Sequence, residues 1–100
     1  MMTKYGDITT DQFNKYKDSV IGRIYAILPL KEEGSETIRS YIESLNRELI
    51  KNIDVFEHCE RVISVVCILE YLICEEDHSV YRKEVLHCCN IISKLGGKNV

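Results

Sequence analysis

The amino-acid sequence predicts an all-α fold, a small antiparallel four-helix bundle. Three observations carry this. Apolar residues recur at spacings of three and four in four separate segments. No segment sustains the period-2 alternation of a half-buried strand. The gaps between segments are short, about three to seven residues, which favours antiparallel neighbours. The 100 residues, 45% apolar and 29% charged, make a single domain over residues 1–100 with one core.

The first helix is expected over about 10–28. Thr9 and Gln12 have capping-box spacing, and Asp11 places negative charge in the first turn. Phe13, Tyr16, Val20, Ile24 and Ile27 form one face, and Pro29 is expected to end the helix near Leu28. Gly22 and Ala26 form a small-residue stripe that would let a neighbouring helix approach closely; a tolerated mid-helix glycine is the plainer alternative. The second helix is expected over about 35–51, after the breaker Gly34. Ile38, Ile42, Leu45 and Leu49 form its stripe, joined by Tyr41. Glu36, Arg39, Glu43 and Arg47 form a solvated opposite face whose signs alternate.

The third helix is expected over about 54–75, capped by Asp54. Val55, Cys59, Val62, Val66, Leu69 and Ile73 are its seam, with a second stripe through Phe56, Ile63, Cys67 and Cys74. From Val62 onward it is apolar nearly all round, so it should be central to the fold or shared with a partner. The fourth helix is expected over about 79–95, capped by Asp77 or Ser79. Its seam is Tyr81, Val85, Cys88, Ile92 and Leu95, and it stops at Gly96 and Gly97.

Composition removes several functional classes. The opening MMTKYGDITT has no apolar run of signal-peptide type. The most apolar stretch, Val62 to Cys74, falls short of the roughly 20 residues a membrane span needs. A soluble, cytoplasmic protein is therefore expected, with no membrane association. The net charge of −3 argues against nucleic-acid binding; Lys15, Lys17 and Arg23 on the first helix are interleaved with Asp11 and Asp18. Thirteen Ile against a single Ala point to AT-rich codons and a low-GC genome, such as that of a Gram-positive bacterium, its phages or an AT-rich virus.

Five cysteines in 100 residues invite scrutiny. Their odd number and their apolar helical settings fit reduced thiols buried as small hydrophobes. His58, Cys59, His87, Cys88 and Cys89 have the composition of a zinc site. However, the sequence has no C-x-x-C, and adjacent helical residues point about 100° apart, so His87 and Cys88 do not readily share an ion. No Gly-rich phosphate loop, nucleophile elbow or H-E-x-x-H occurs. No catalytic residues, no metal and no cofactor are expected.

What remains is protein binding. Tyr25 and Tyr71 lie off the main seams, Gly22 borders Tyr25, and Glu75, Glu76 and Asp77 form an acidic turn. These six are the expected contact residues. The sequence thus predicts a non-enzymatic protein-binding module, in its most concrete form a phage- or mobile-element-encoded inhibitor or regulator of a host protein. A homodimer through residues 55–74 is a further expectation. An immunity protein or antitoxin is one alternative; a thiol- or metal-based sensor using Cys59, Cys88 and Cys89 is the other.

Overall fold

A computed structural model describes residues 2–3, 6–7, 9–34 and 36–97. Its core is built by α1 (Thr10–Tyr25), α2 (Ile27–Glu32), α3 (Ile38–Lys51), α4 (Cys59–Ile73) and α5 (His78–Ser93). Extended pairing among the described residues is confined to β1 (Met2–Thr3) antiparallel to β2 (Gly6–Asp7), and to one bridge between Phe56 and Gly97. These pairings are too short for any alternation to appear in the sequence.

α1 starts where expected and for the expected reason. The Thr9 side chain accepts from the Gln12 N–H, and the Gln12 side chain accepts from the Thr9 N–H. Two of the helix's orphan donors are thereby satisfied, which is worth about 1 kcal/mol. Pro29 does not end this arm. Its missing N–H and its ring preclude a helical bond to the Tyr25 carbonyl, so the break falls one turn upstream, at Ala26. A new helix, α2, then starts at Ile27 with Pro29 in its first turn, where no N–H is required. α2 runs to Glu32 and is closed by Gly34 at φ +67°, whose N–H donates to the Lys31 carbonyl.

The expected start of the second helix at Ser35 lies outside the described residues. Residues 36 and 37 are turn, and α3 begins at Ile38. Asp54 does not cap the third helix. Ile53–Val55 form one 3-10 turn and Phe56 is extended; α4 begins only at Cys59, with His58 at its cap position. Phe56 decides this. It is fully buried against Phe13 and Tyr16, at ring separations of 5.7 and 5.9 Å, and the chain straightens to insert it. The Glu57 N–H then donates to the Gly96 carbonyl and ties this crossing to the end of the chain. α5 is capped as expected, the Asp77 carboxylate accepting from the Ser79 N–H at 2.8 Å.

α5 is the central helix, touching α1, α2 and α4, while α4 packs against α3 and α5. The arms are antiparallel. Lys17, midway along α1, donates to the carbonyls of Ser93 and Leu95 at and beyond the end of α5. At the other end, Lys31 donates to the Glu75 carbonyl and lies over the Tyr81 ring. Tyr81, at the start of α5, donates to the Leu72 carbonyl at the end of α4. Asn52 donates to the Tyr16 hydroxyl while the Tyr41 hydroxyl donates to the Arg23 carbonyl, so α1 and α3 also run oppositely. The molecule measures 40 × 21 × 21 Å.

The core holds the predicted seams: Phe13, Val20, Ile24 and Ile27; Ile42, Leu45 and Leu49; Val62, Val66 and Leu69; Tyr81, Val85, Cys88, Ile92 and Leu95. The second stripe of the third helix behaves differently. Phe56 is buried, but Ile63, Cys67 and Cys74 are exposed. Among the described residues α4 packs on α3, α5 and the 3-10 turn, and its all-round apolarity leaves a face exposed. Cysteine burial is accordingly split: Cys88 and Cys89 are buried and Cys59 is half-buried, against the expectation that all five line the core.

Candidate functional site

The large apolar side chains left exposed are Tyr25, Ile50, Ile63, Tyr71 and Leu86. Ile50 stands apart; the other four gather in two patches. The first lies between the α1–α2 break and α5. Tyr25, 51% exposed, and Leu86, 43% exposed, flank a groove of about 400 Å³ with Leu28 and Pro29. Tyr25 is there because the break at Ala26 ends α1 beneath it, and Pro29 because α2 starts with it. Glu32 and Arg82 edge the groove as an ion pair at 3.8 Å. Beyond them the groove continues as a second hollow of about 210 Å³, lined by Lys31, His78, Ser79 and Tyr81.

The second patch is the outer face of α4. Ile63 (51% exposed) and Tyr71 (59% exposed) lie along it with the exposed thiols of Cys67 and Cys74. The Tyr71 hydroxyl donates to Glu75 Oε2 at 2.7 Å, and Glu75 Oε1 accepts from the N–H groups of Glu76 and Asp77. That bond raises the Tyr71 pKa, and the bonds from Tyr71 and then from the backbone of Asp77 lower that of Glu75. Asp77 is likewise lowered, first by the Ser79 hydroxyl and then by the Ser79 backbone. Two carboxylates of the acidic turn, Glu75 and Asp77, are therefore held by local donors.

The expected contact residues are divided between these patches. Tyr25 belongs to the groove; Tyr71 belongs to the α4 face, with Glu75, Glu76 and Asp77 at its end. Gly22 is exposed, and a Cβ placed there would meet no atom within 4 Å, so among the described residues no helix packs closely on it. The sequence reading missed Leu86 and Arg82. An off-seam leucine beside Val85 was the available signal for the first.

Among the described residues no group of three His, Cys, Asp or Glu side chains converges to hold a metal ion. His58 Nδ1 is 3.5 Å from Glu60, and His87 Nδ1 is 3.7 Å from Glu84. The Cys59 thiol donates to the carbonyls of Ile53 and Phe56, and the Cys89 thiol to that of Ile21. Burial, then the neighbouring Cys89 and Glu84, pushes the Cys88 thiol up to about 12 from 9.0, far from the thiolate that metal ligation or nucleophilic attack requires. Two of the cations on the first helix are engaged within the bundle, Lys17 on the α5 carbonyls and Arg23 on Glu48. Glu36, Arg39, Glu43 and Arg47 are exposed, and no ion pair links them. No helix among the described residues is long and apolar enough to cross a membrane.

By fold and surface this is a small all-α bundle with apolar side chains gathered in a groove and along one helix face. No protein-family model matches the chain, and no curated protein or solved structure is significantly similar to it.

Proposed function

We infer that this chain is a non-enzymatic binding protein that regulates a second protein by stoichiometrically covering part of its surface. The observation that carries the reading is the Tyr25–Leu86 groove. It has apolar walls, an apolar floor of Leu28 and Pro29, and a charged rim at Glu32 and Arg82. An apolar centre with a polar rim is the anatomy of a protein interface, and tyrosine is enriched there. The groove suits one or two aliphatic or aromatic side chains from a partner helix or loop. The titratable groups elsewhere are spread among local bonds, which supports binding over catalysis. The Ile-rich, Ala-poor composition supports a phage or mobile element of a low-GC host as the source, acting on a host protein in the cytoplasm.

The test starts from a photo-crosslinking amino acid placed at Tyr25 or Leu86, with Arg47 on the exposed α3 face as control. The cross-linked host protein is then purified and titrated calorimetrically. A 1:1 complex that Tyr25→Asp and Leu86→Asp each weaken about tenfold or more, at unchanged melting temperature, supports the reading. Equal cross-linking at position 47, or affinity indifferent to both substitutions, refutes it.

A further inference from the structure

A second surface carries an inference independent of the groove. On α4 the exposed residues Glu60, Ser64, Cys67, Tyr71 and Cys74 repeat at spacings of 4, 3, 4 and 3, with Ile63 beside them. This is the seam period of two helices packed along their length. α4 thus carries two seams. Val62, Val66 and Leu69 face its own bundle, and the outer row is centred on Cys67.

The flank of this row that faces α5 is electrically polarised. Near the start of α4, Arg61 lines a hollow of about 310 Å³ with Ser64, His87, Asn90, Ile91 and Lys94. Among the described residues neither the Arg61 nor the Lys94 side chain has an ion-pair partner. The one carboxylate of the row, Glu60, lies against His58. At the other end of the same flank, Glu75, Glu76 and Asp77 form the acidic turn. At about 100° per residue, positions 61 and 64 fall on this one side of the row, and the acidic turn, which leads from α4 into α5, lies towards the same side.

The geometry points to a second copy of this chain as the occupant, joined through α4 about a two-fold axis at Cys67 with the two helices antiparallel. A two-fold operation of that kind sets like flanks side by side and reverses their ends. The Arg61–Lys94 end of each copy then meets the Glu75–Asp77 end of the other, and both pairings form at once. Ile63 comes level with Tyr71 of the second copy, and the two Cys67 thiols meet at the axis. α4, 15 residues long, offers about 22 Å of length to this contact. With mixed polarity along the seam, dissociation in the micromolar range is expected.

Sedimentation equilibrium at about 100 μM tests this, a concentration well above a micromolar dissociation constant. Twice the 11.6 kDa chain mass is expected. Ile63→Asp should give a monomer, with a melting temperature equal to that of the unmodified protein when both are measured below micromolar concentration, since the side chain is exposed in the single chain. Arg61→Glu should weaken association tenfold or more, and adding Glu76→Arg should restore part of it. Diamide supplies a covalent readout. Two Cys67 thiols lose two protons and two electrons to its N=N bond, which becomes HN–NH as the intermolecular S–S bond forms. This cross-link should vanish in Cys67→Ser and persist in Cys74→Ser, while Cys67→Ser itself remains dimeric. A monomer mass for the unmodified protein, a dimer indifferent to Ile63→Asp, or cross-linking that requires Cys74 would each overturn the proposal. None of these outcomes bears on the groove, whose test is at Tyr25 and Leu86.

Discussion

Asn46 is the buried polar side chain of the core, 4% exposed on the inner face of α3. Its Nδ2 donates to the Val66 carbonyl in α4 at 3.3 Å, while its Oδ1 is buried without a partner. Replacing it by leucine, which has nearly the same branched shape, should stabilise the fold. The lost bond is long and worth about 0.5–1 kcal/mol. Val66 lies mid-helix, where its carbonyl has the helix's own acceptor role to fall back on. Against this, the change removes a desolvated orphan oxygen, a penalty of about 1–3 kcal/mol. It also adds a few tenths of a kcal/mol of helix propensity. The balance favours Asn46→Leu by about 1–2 kcal/mol, a rise in melting temperature of roughly 5–10 °C for a domain this size. Asn46→Asp is the opposing control. It replaces the donor by a second buried acceptor, and should cost about 3 kcal/mol or more at neutral pH. Urea unfolding followed by circular dichroism measures both. An Asn46→Leu protein less stable by 1 kcal/mol or more, a threshold set by the bond's own worth, would refute the reasoning. It would mean that the amide oxygen has a partner in solution, or that the amide fixes the α3–α4 register.

Stability should fall as pH rises from about 9 towards 12. The folded chain holds the Cys88 thiol neutral up to about 12 against 9.0 without burial, and burial also raises Tyr16, Tyr41 and Tyr81. Over that window the native state binds more protons than the unfolded chain, so Cys88 alone lowers the folding constant by up to roughly tenfold per pH unit. Urea midpoints at about pH 8 and pH 10.5 should differ, and less so in Cys88→Val; identical midpoints would contradict the account. Below the micromolar concentrations at which copies would pair through α4, a thiol reagent should label Cys67 and Cys74 of the native chain rapidly, and Cys88 and Cys89 only as fast as the protein unfolds, as peptide mapping can show. Gly22→Ala should raise stability by about 0.5–1 kcal/mol, because the added methyl meets open space in a helix interior; a thermal melt that moves down would place an unseen neighbour against α1.

The sequence was most legible where a local bond defines an element. Thr9 with Gln12, and Asp77 with Ser79, begin their helices as their spacing implies. It was least legible where two local rules compete or where tertiary packing decides. Pro29 carries both a prohibition upstream and a permission downstream. Read as a stop, it hides the second helix; read as a first-turn residue, it yields α2 and the groove floor. Asp54 looked like a cap until the burial of Phe56 pulled the chain straight beside it. The groove residues Leu86 and Arg82 were invisible for the same reason, since their setting depends on where α2 lies against α5.

The cysteines show how far periodicity can carry a functional argument. Cys67 and Cys88 both occupy apolar stripes, yet one is exposed and the other buried. A stripe states only that a face is apolar; what covers it depends on how many neighbours the helix has. α5, with α1, α2 and α4 around it, buries its seam, whereas α4 packs on α3, α5 and the 3-10 turn and leaves Ile63, Cys67 and Tyr71 exposed among the described residues. The apolar surplus read along Val62–Cys74 therefore becomes the outer seam of α4. Its period, its central thiol and its opposed charged ends are properties of a surface that a reversed copy of itself would complement. The groove at Tyr25 has no such symmetry: its walls differ, its floor is set by one proline, and its rim is a single ion pair. If α4 serves the proposed assembly and the α2–α5 groove the proposed recognition, substitutions in one should leave the other unaltered.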